Sequence, residues 1–440
     1  MSFREEVKGK QVLVFGLGLQ GGGLGDAKWL QANGAKVRVT DRKTKAELAE
    51  ALRDLPAEIE TTLGQHSKAD LDWADLIIKN PGVPDSQELI LYAKGKGIPV
   101  LTSIAVFVRE SREKVIGVTG TRGKSTTTEL IYQVLNTAYP KQVIRGGNIP
   151  GTSGLSLLDS LDSAKYAVLE LSSFQLHNFH SLKVSPHLAV ITNLYPDHLN
   201  RYPSLAEYAD DKRAIAAYQY PSDFIIVNQE NQGALEIASS SPASHLEYKT
   251  SDVPADWSIL IPGEHNRSNI AAVLAVAKTL KIDLELVKKV VESFHGLPFR
   301  LENRGTKNGI TYLNDTTAST PTAASIAIQA MSGPTCIIVG GQSKNLPLDS
   351  FINALVTSSQ IKKIVIFGAK GLPEFTAQLK ASCPEKIVGQ VDSMLEAVTL
   401  ASRSLQKGGT VLLSPGFTSF DLFNNEFERG RQFNQVVENL

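Results

Sequence analysis

Short apolar runs recur along this chain, separated by stretches in which apolar positions return every three or four residues. Residues 10–15, 36–41 and 73–78 read as strands, with a helix over 24–32 between the first two. The pattern restarts at residue 114, continues through strands at 166–171, 188–194 and 224–228, and reaches a long Ala/Val/Leu helix near 267–280. A third block opens near Arg300, with strands at 335–340, 362–368 and 409–414. Strand–helix alternation of this kind predicts parallel sheets covered by helices. The expected class is α/β in three tandem domains, at residues 1–111, 112–299 and 300–440. No low-complexity segment or short-period repeat interrupts them.

The start of the second block carries the strongest chemical signal. Val115-Ile-Gly-Val-Thr runs into Gly120-Thr-Arg-Gly-Lys-Ser-Thr126, and a helical pattern follows. Glycines between a strand and a helix let backbone N–H groups close around a phosphate, and the lysine ammonium neutralises it. The Ser125 hydroxyl follows as a candidate Mg²⁺ ligand. The usual P-loop has a further glycine where this chain has Val118, so the match is to a shorter form. Gly120, Thr121, Gly123, Lys124, Ser125 and Thr126 are the expected nucleoside triphosphate contacts.

The first block offers a competing motif. Gly16-Leu-Gly18-Leu-Gln-Gly21 follows the first strand, and Asp41 ends the second, as in dinucleotide-binding folds. Taken alone it favours a nicotinamide-dependent oxidoreductase. The run continues through Gly22, Gly23 and Gly25, looser than that fingerprint requires, and the chain has a second phosphate loop. Binding of another diphosphate at this helix N-terminus is the preferred expectation.

Further candidates sit at strand ends. Glu170, in Leu169-Glu-Leu-Ser-Ser173, places a carboxylate where open α/β sheets bind ligands, beside the phosphate loop. Asp197-His198 lies in a polar loop after an apolar strand, a setting for a ligand or proton-transfer histidine. Ser204-Leu-Ala-Glu207 is a capping box opening a helix that carries Lys212, which in isolation reads as a surface lysine paired with an acid. Asn266 and Asn269 share a helical face and suit a nucleobase edge, with helix capping as the alternative for Asn266. Arg300 and Asp315 stand at the start of the third block.

Composition narrows the rest. Lys+Arg and Asp+Glu both total 45 in 440 residues, so no global field favours nucleic acid or a membrane surface. The apolar share of 42% suits an ordinary globular protein. The N-terminus lacks an apolar signal core and no stretch has membrane length, so a cytoplasmic location and a monomer are the defaults. Cys336 and Cys383 lack metal-like spacing.

Taken in order, these motifs resemble the Mur ligases, which form amide bonds in peptidoglycan precursor synthesis. The resemblance runs through Thr-Gly-Thr-x-Gly-Lys-Ser-Thr, Gly146-Gly-Asn148-Ile149, Leu-Glu-Leu-Ser-Ser-Phe-Gln-Leu, Asp-His-Leu-x-Arg-Tyr, Gly-x-His-Asn-x-x-Asn and Leu-Leu-Ser414-Pro. It implies Rossmann-like first and third domains around a P-loop ATPase-type centre. It also implies an ATP- and Mg²⁺-dependent ligase adding D-glutamate to UDP-N-acetylmuramoyl-L-alanine. By resemblance, Lys124, His198 and Lys212 serve catalysis, with Ser125 and Glu170 on one Mg²⁺ and His198 and Lys212 on a second. The matching lysine is often carbamylated in the family. Asn266, Asn269, Arg300 and Asp315 match nucleotide contacts. Leu19, Gln20, Asp41, Asn80, Gly82 and Asn148 match the UDP-substrate side, and Ser319, Lys344, Ser419 and Phe420 the amino-acid pocket. Arg122 stands where Asn is common, Asn200 where Asp is usual, and Thr317 where the glutamate-adding branch often has Lys. Alternatives are a ligase adding L-glutamate or another amino acid, folate glutamylation, and a non-catalytic nucleotide-binding regulator.

Overall fold

The computed structural model describes residues 2–19, 21–197, 202–343, 346–368, 372–419, 422–423 and 425–440. Its strands form three sheets, each drawn from one continuous stretch of sequence. The first contains β1 (Gln11–Phe15), β2 (Lys36–Asp41), β3 (Glu60–Leu63), β4 (Leu76–Lys79) and β5 (Val100–Leu101), all parallel in the order 3-2-1-4-5. The order reverses between β1 and β4, and such a switch point opens a crevice at the strands' carboxyl ends.

The second sheet contains β6 (Val115–Thr119), β7 (Val143–Gly147), β8 (Tyr166–Glu170), β9 (Leu188–Ile191), β10 (Phe224–Asn228) and β11 (Ser244–Tyr248), parallel in the order 11-10-9-6-8-7. Strand β6 lies between β8 and β9, and the three are mostly apolar and almost wholly buried, as expected of strands covered on both faces. The third contains β12 (Glu302–Lys307), β13 (Ile310–Asn314), β14 (Thr335–Gly340), β15 (Ile361–Phe367), β16 (Ile387–Val391) and β17 (Thr410–Gly416). Its order is 12-13-17-14-15-16, with β12 antiparallel to β13 and the remainder parallel.

By its backbone contacts the chain divides into two compact units. One comprises Met1–Val253 with Ser268–Val287, and the other Pro254–Arg267 with Lys288–Leu440. The first two sheets fall in one unit because side chains tie them together. Trp29 Nε1 and Arg4 both donate to Asp159, and Ser153 Oγ donates to the buried Asp26 carboxylate at 2.6 Å. Val106 and Leu155 also enter the apolar core around β1.

Some expected boundaries shift. Residues 68–73 form a helix, Lys68–Trp73, where Ser67 accepts from Ala69 N–H, so the strand begins at Leu76. Strand β9 ends at Ile191, because Thr192 and Asn193 turn their hydrogen bonds onto the phosphate loop. Strands β3, β5, β7, β11, β12, β13 and β16 lie outside the sequence-based expectation.

Candidate active site

In the first unit, the phosphate loop leaves β6 at Gly120 and enters the helix Lys124–Ala138 with Gly123 as its N-cap, at φ +82°. Both glycines are required by space. A Cβ on Gly120 would stand 1.9 Å from Thr192 Oγ1, and one on Gly123 2.2 Å from Asn269 Oδ1. The loop is also anchored from outside. Arg122 N–H donates to Asn193 Oδ1 at 2.8 Å, and Thr192 Oγ1 donates to the Arg122 carbonyl at 2.6 Å. Thr121 N–H donates to the Asn193 carbonyl, and Tyr195 N–H donates to Thr121 Oγ1.

Two lysines converge on one carbonyl. Lys124 Nζ donates to Gly120 O at 2.8 Å and to Thr121 O at 3.2 Å, while Lys212 Nζ donates to Gly120 O at 3.0 Å. Lys212 is 1% exposed, contrary to the surface lysine that isolated reading favoured. Its helix, Leu205–Arg213, is capped by Ser204 as the capping signal indicates, and buries Tyr208, Asp211 and Lys212 on one side. Burial drives the Lys212 ammonium well below its ordinary range, and the neighbouring Lys124 charge drives it further. Asp197, Asp211 and Glu170 pull in the opposite direction without restoring it. The neutral amine is thereby favoured, and it is the neutral amine that attacks carbon dioxide to form a carbamate, releasing a proton.

Glu170 ends β8 in register with Val118 on β6 and Gly147 on β7. Its carboxylate is buried, and Asn148 Nδ2 donates to Oε1 at 2.8 Å. Ser125 and Thr126 occupy the first turn after Lys124, where helix-terminal N–H groups favour an anion. The Thr127 and Thr128 hydroxyls are buried and find no hydrogen-bond partner among the described residues.

A cleft of about 390 Å³ opens at the β1/β4 switch point. Gly16, Gly18 and Leu19 line one side, Asn80 and Gly82 another, and Asn148 reaches it from the second sheet. Asp41 does not line it. Its carboxylate instead accepts from Gly18 N–H at 3.0 Å and Lys43 N–H at 2.8 Å, fixing the glycine loop. Asp26, also on the cleft wall, accepts from Ser153 Oγ and Leu155 N–H. Burial pushes its carboxyl up to about 6.

The second unit places Asp315 after β13, where it accepts from Ser414 Oγ at 2.7 Å and Leu301 N–H at 3.2 Å. Burial pushes its carboxyl up to about 7, against the lowering effect of both bonds and of Arg300. Exposed Arg300 is flanked by Phe299 and Leu301 at φ +67° and +44°, a strained conformation for non-glycine residues. Ser419 is buried, its hydroxyl without a hydrogen-bond partner among the described residues, and Ser319 lies near Gly416 and Phe417. In the helix Glu264–Thr279, Asn269 faces Gly123, whereas Asn266 Nδ2 donates to the Pro262 carbonyl at 2.7 Å. Asn266 lies inside that helix rather than capping it with its side chain. Gln20, His198, Lys344 and Phe420 lie outside the described residues, as does Asn200.

Known proteins resemble this chain over nearly its whole length. Residues 10–102 match the Mur ligase MurD-like N-terminal domain, and residues 118–257 match the Mur ligase middle domain. A UDP-N-acetylmuramoylalanine–D-glutamate ligase from Roseiflexus sp. is 32% identical over 99% of this chain and 100% of its own. One of the same name from Borreliella afzelii is 33% identical over 99% of each chain. The chain belongs to the Mur ligase family. Its fold also matches solved Mur ligases: MurF from Thermotoga maritima in complex with ADP (TM-score 0.59, 20% identity, 99% and 97% of the two chains) and MurC from the same organism (0.58, 20%, 98% and 99%). The oxidoreductase alternative finds no support among these relatives.

Within this Mur ligase, several residues that shape the site escaped the motif reading. Asp26 and Ser153 are single polar residues in unremarkable segments, and their pairing spans two sheets. Asp26 lies on the buried side of its helix, beside Gly23, Ala27 and Leu30, but no sequence signal marks its pairing. Asp85 and His177 likewise become visible only when the loop after β4 meets the helix Leu205–Arg213.

Proposed function

We propose that this Mur ligase joins D-glutamate to UDP-N-acetylmuramoyl-L-alanine in two steps, with ATP as phosphoryl donor. The substrate carboxylate takes the γ-phosphoryl group, forming an acyl phosphate and ADP. The amino group of the incoming amino acid then attacks the acyl carbon, and phosphate leaves as the C–N bond forms. The observation that carries this reading is the convergence of Lys124, Lys212 and the loop Gly120–Ser125 at the end of β6.

In this scheme Lys124 leaves its own loop carbonyls to neutralise the transferring phosphoryl oxygens, a contribution that dominates phosphoryl transfer. Arg122 adds a second cation, whose guanidinium lies 3.8 Å from Asp197. The cleft at the β1/β4 switch point holds the UDP end, with Asn80, Gly82, Leu19 and Asn148 against it and Asp41 acting through the Gly18 loop. Ser319 and Ser419 serve the amino-acid side, and Arg300, Asp315, Asn266 and Asn269 the nucleotide. Three domains follow the three sheets.

The donor set suits Mg²⁺: the buried Glu170 carboxylate and the Ser125 hydroxyl are hard oxygen ligands, and a carbamate on Lys212 would add another. Bound there, the ion would supply charge neutralisation to the transferring phosphoryl group.

Phosphate release from ATP tests the proposal, measured with the UDP-muramoyl-alanine acceptor and each of D-glutamate, L-glutamate, D-aspartate and lysine. Release should require the acceptor and rise with D-glutamate. No stimulation by any pair would overturn the ligation reading. One observation favours a non-acidic amino acid as a second reading. Thr317 replaces a branch lysine, and its hydroxyl donates to the Phe299 carbonyl at 2.7 Å, so it supplies no cation to a side-chain carboxylate. Lysine outpacing D-glutamate would establish it.

A further inference from the structure

Between the substrate cleft and the Lys212 helix runs a chain of charges that the ligation scheme does not use. Lys79, 1% exposed at the end of β4, donates to the Val83 carbonyl at 2.7 Å and to Asp85 Oδ1 at 2.5 Å. Lys94 donates to Asp85 Oδ2 at 2.6 Å. His177 Nε2 lies 3.4 Å from Asp85 Oδ2, and its Nδ1 lies 2.7 Å from Asp211 Oδ1. Asp211 Oδ2 accepts from the Tyr202 hydroxyl at 2.8 Å.

We propose that His177 is a positioning residue, bridging Asp85 and Asp211 so that the substrate loop after β4 and the helix carrying Lys212 are held in one register. The two carboxylates belong to different sheets' connections. Asp85 follows Asn80 and Gly82, which line the substrate cleft, and Asp211 precedes Lys212, whose Nζ reaches Gly120. His177 itself follows the capped turn Ser173–Leu176, and Phe174 and Gln175 of that turn also line the cleft. One imidazolium therefore sets the spacing between the acceptor's binding wall and the phosphoryl-transfer lysines. A shift of about 1 Å between such groups costs on the order of 10²-fold in rate.

The electrostatics agree with the geometry. The bond to Asp211 and then the bond to Asp85 push His177 up to about 9, against its partial burial. Burial opposes ionisation of Asp85, but donation from His177, Lys79 and Lys94 outweighs it and holds that carboxyl below the usual range. The charged and titratable groups facing His177 are Asp85, Lys79 and Lys94 from the β4 side, and Glu207, Asp210 and Asp211 with Tyr202 from the helix side. A cavity of about 520 Å³ among them gives water a route to the ring. Because its folded value is raised, the bridge contributes fully below the ordinary histidine value of 6.5 and is lost as pH climbs through about 9.

The proposal rests on the ligation reading for its kinetic arm and not for its spectroscopic one. In the full chain, the His177 ring signal, assigned by its loss in His177→Gln, should titrate near pH 9 by NMR. A midpoint near 6.5 would overturn the bridge whether or not ligation is seen. In the ligation assay, His177→Gln should lower kcat/KM for the UDP-linked acceptor about tenfold and leave KM for ATP within twofold. It should also abolish a loss of activity through pH 9 present in the parent. Asp85→Asn should show the same acceptor defect, with the double variant no worse than the worse single, and it carries the test if His177→Gln does not fold. A lowered thermal midpoint with every kinetic parameter unchanged would overturn the positioning role.

Discussion

Gly123 and Gly9 share a backbone conformation and differ in their surroundings, which makes them a matched pair for testing the phosphate loop. Gly9 has φ +80° and nothing within 4 Å of a built Cβ, whereas Gly123 has φ +82° and Asn269 Oδ1 at 2.2 Å. Alanine in the left-handed region costs about 1–2 kcal/mol. The reduced freedom of the unfolded chain returns about 0.4–1 kcal/mol. Gly9→Ala should therefore lose about 1 kcal/mol of stability and keep its activity. Gly123→Ala has the same backbone cost, and ordinary contact at 3.4 Å also requires Asn269 or the loop to retreat by about 1.2 Å. Displacement on that scale costs on the order of 10²-fold, or about 2.7 kcal/mol in the barrier.

The assay is ATP-dependent phosphate release at saturating acceptor and amino acid, with thermal midpoints measured on the same preparations. Gly123→Ala should lose about a hundredfold in kcat/KM for ATP while its midpoint falls no more than that of Gly9→Ala by a few degrees. Repeating Gly123→Ala in an Asn269→Ala background removes the clashing amide, so the substitution should then cost less than about fivefold. An equal loss in both backgrounds would refute the steric argument and leave backbone strain as the cause.

Lys212→Ala should reduce ligation at least a hundredfold, with acetate or formate partly restoring it as a stand-in for the carbamate oxygens. The parent should show a ¹³C carbamate signal after growth with labelled bicarbonate, absent from the variant. Asp315→Asn should gain thermal stability relative to the parent as pH rises from 5 to 8. The raised carboxyl keeps its proton in the fold below about 7, so the parent alone loses stability through that interval, and a pH-independent difference would contradict the assignment. Arg122→Asn should lower kcat more than it raises KM for ATP, because its guanidinium is half-exposed near Asp197 and is available to charge that develops during transfer; a pure KM effect would place it in ground-state binding.

The parts legible in the sequence were those whose physics is local. The loop Gly120–Ser125 declares itself because left-handed glycines, a lysine and a helix start must be adjacent to cradle a phosphate. Glu170 follows from its place at the carboxyl end of a buried strand. Strands β6, β8 and β10 were visible as continuous apolar runs, while β12 escaped because Glu302–Lys307 is polar and bulged against β13. That the first two sheets share one compact unit is a matter of side chains 130 residues apart, such as Trp29 and Asp159, which no local pattern encodes.

Lys212 shows why burial has to be known before chemistry is assigned. In the sequence it sits among Asp210, Asp211 and Arg213, and the ordinary expectation is a solvated ion pair. In the fold those neighbours divide: Arg213 pairs with Asp210 on the exposed side, while Asp211 turns to His177 and Tyr202. Lys212 is left facing Gly120 and the Lys124 charge, where burial and like-charge repulsion act together against its ammonium. A residue type that is seldom buried is thus held where its charged form is disfavoured, beside a loop built for phosphate. The arrangement makes little sense for stability, since a buried cation near a second cation is costly, and it makes sense for a lysine whose nitrogen reacts before the enzyme does.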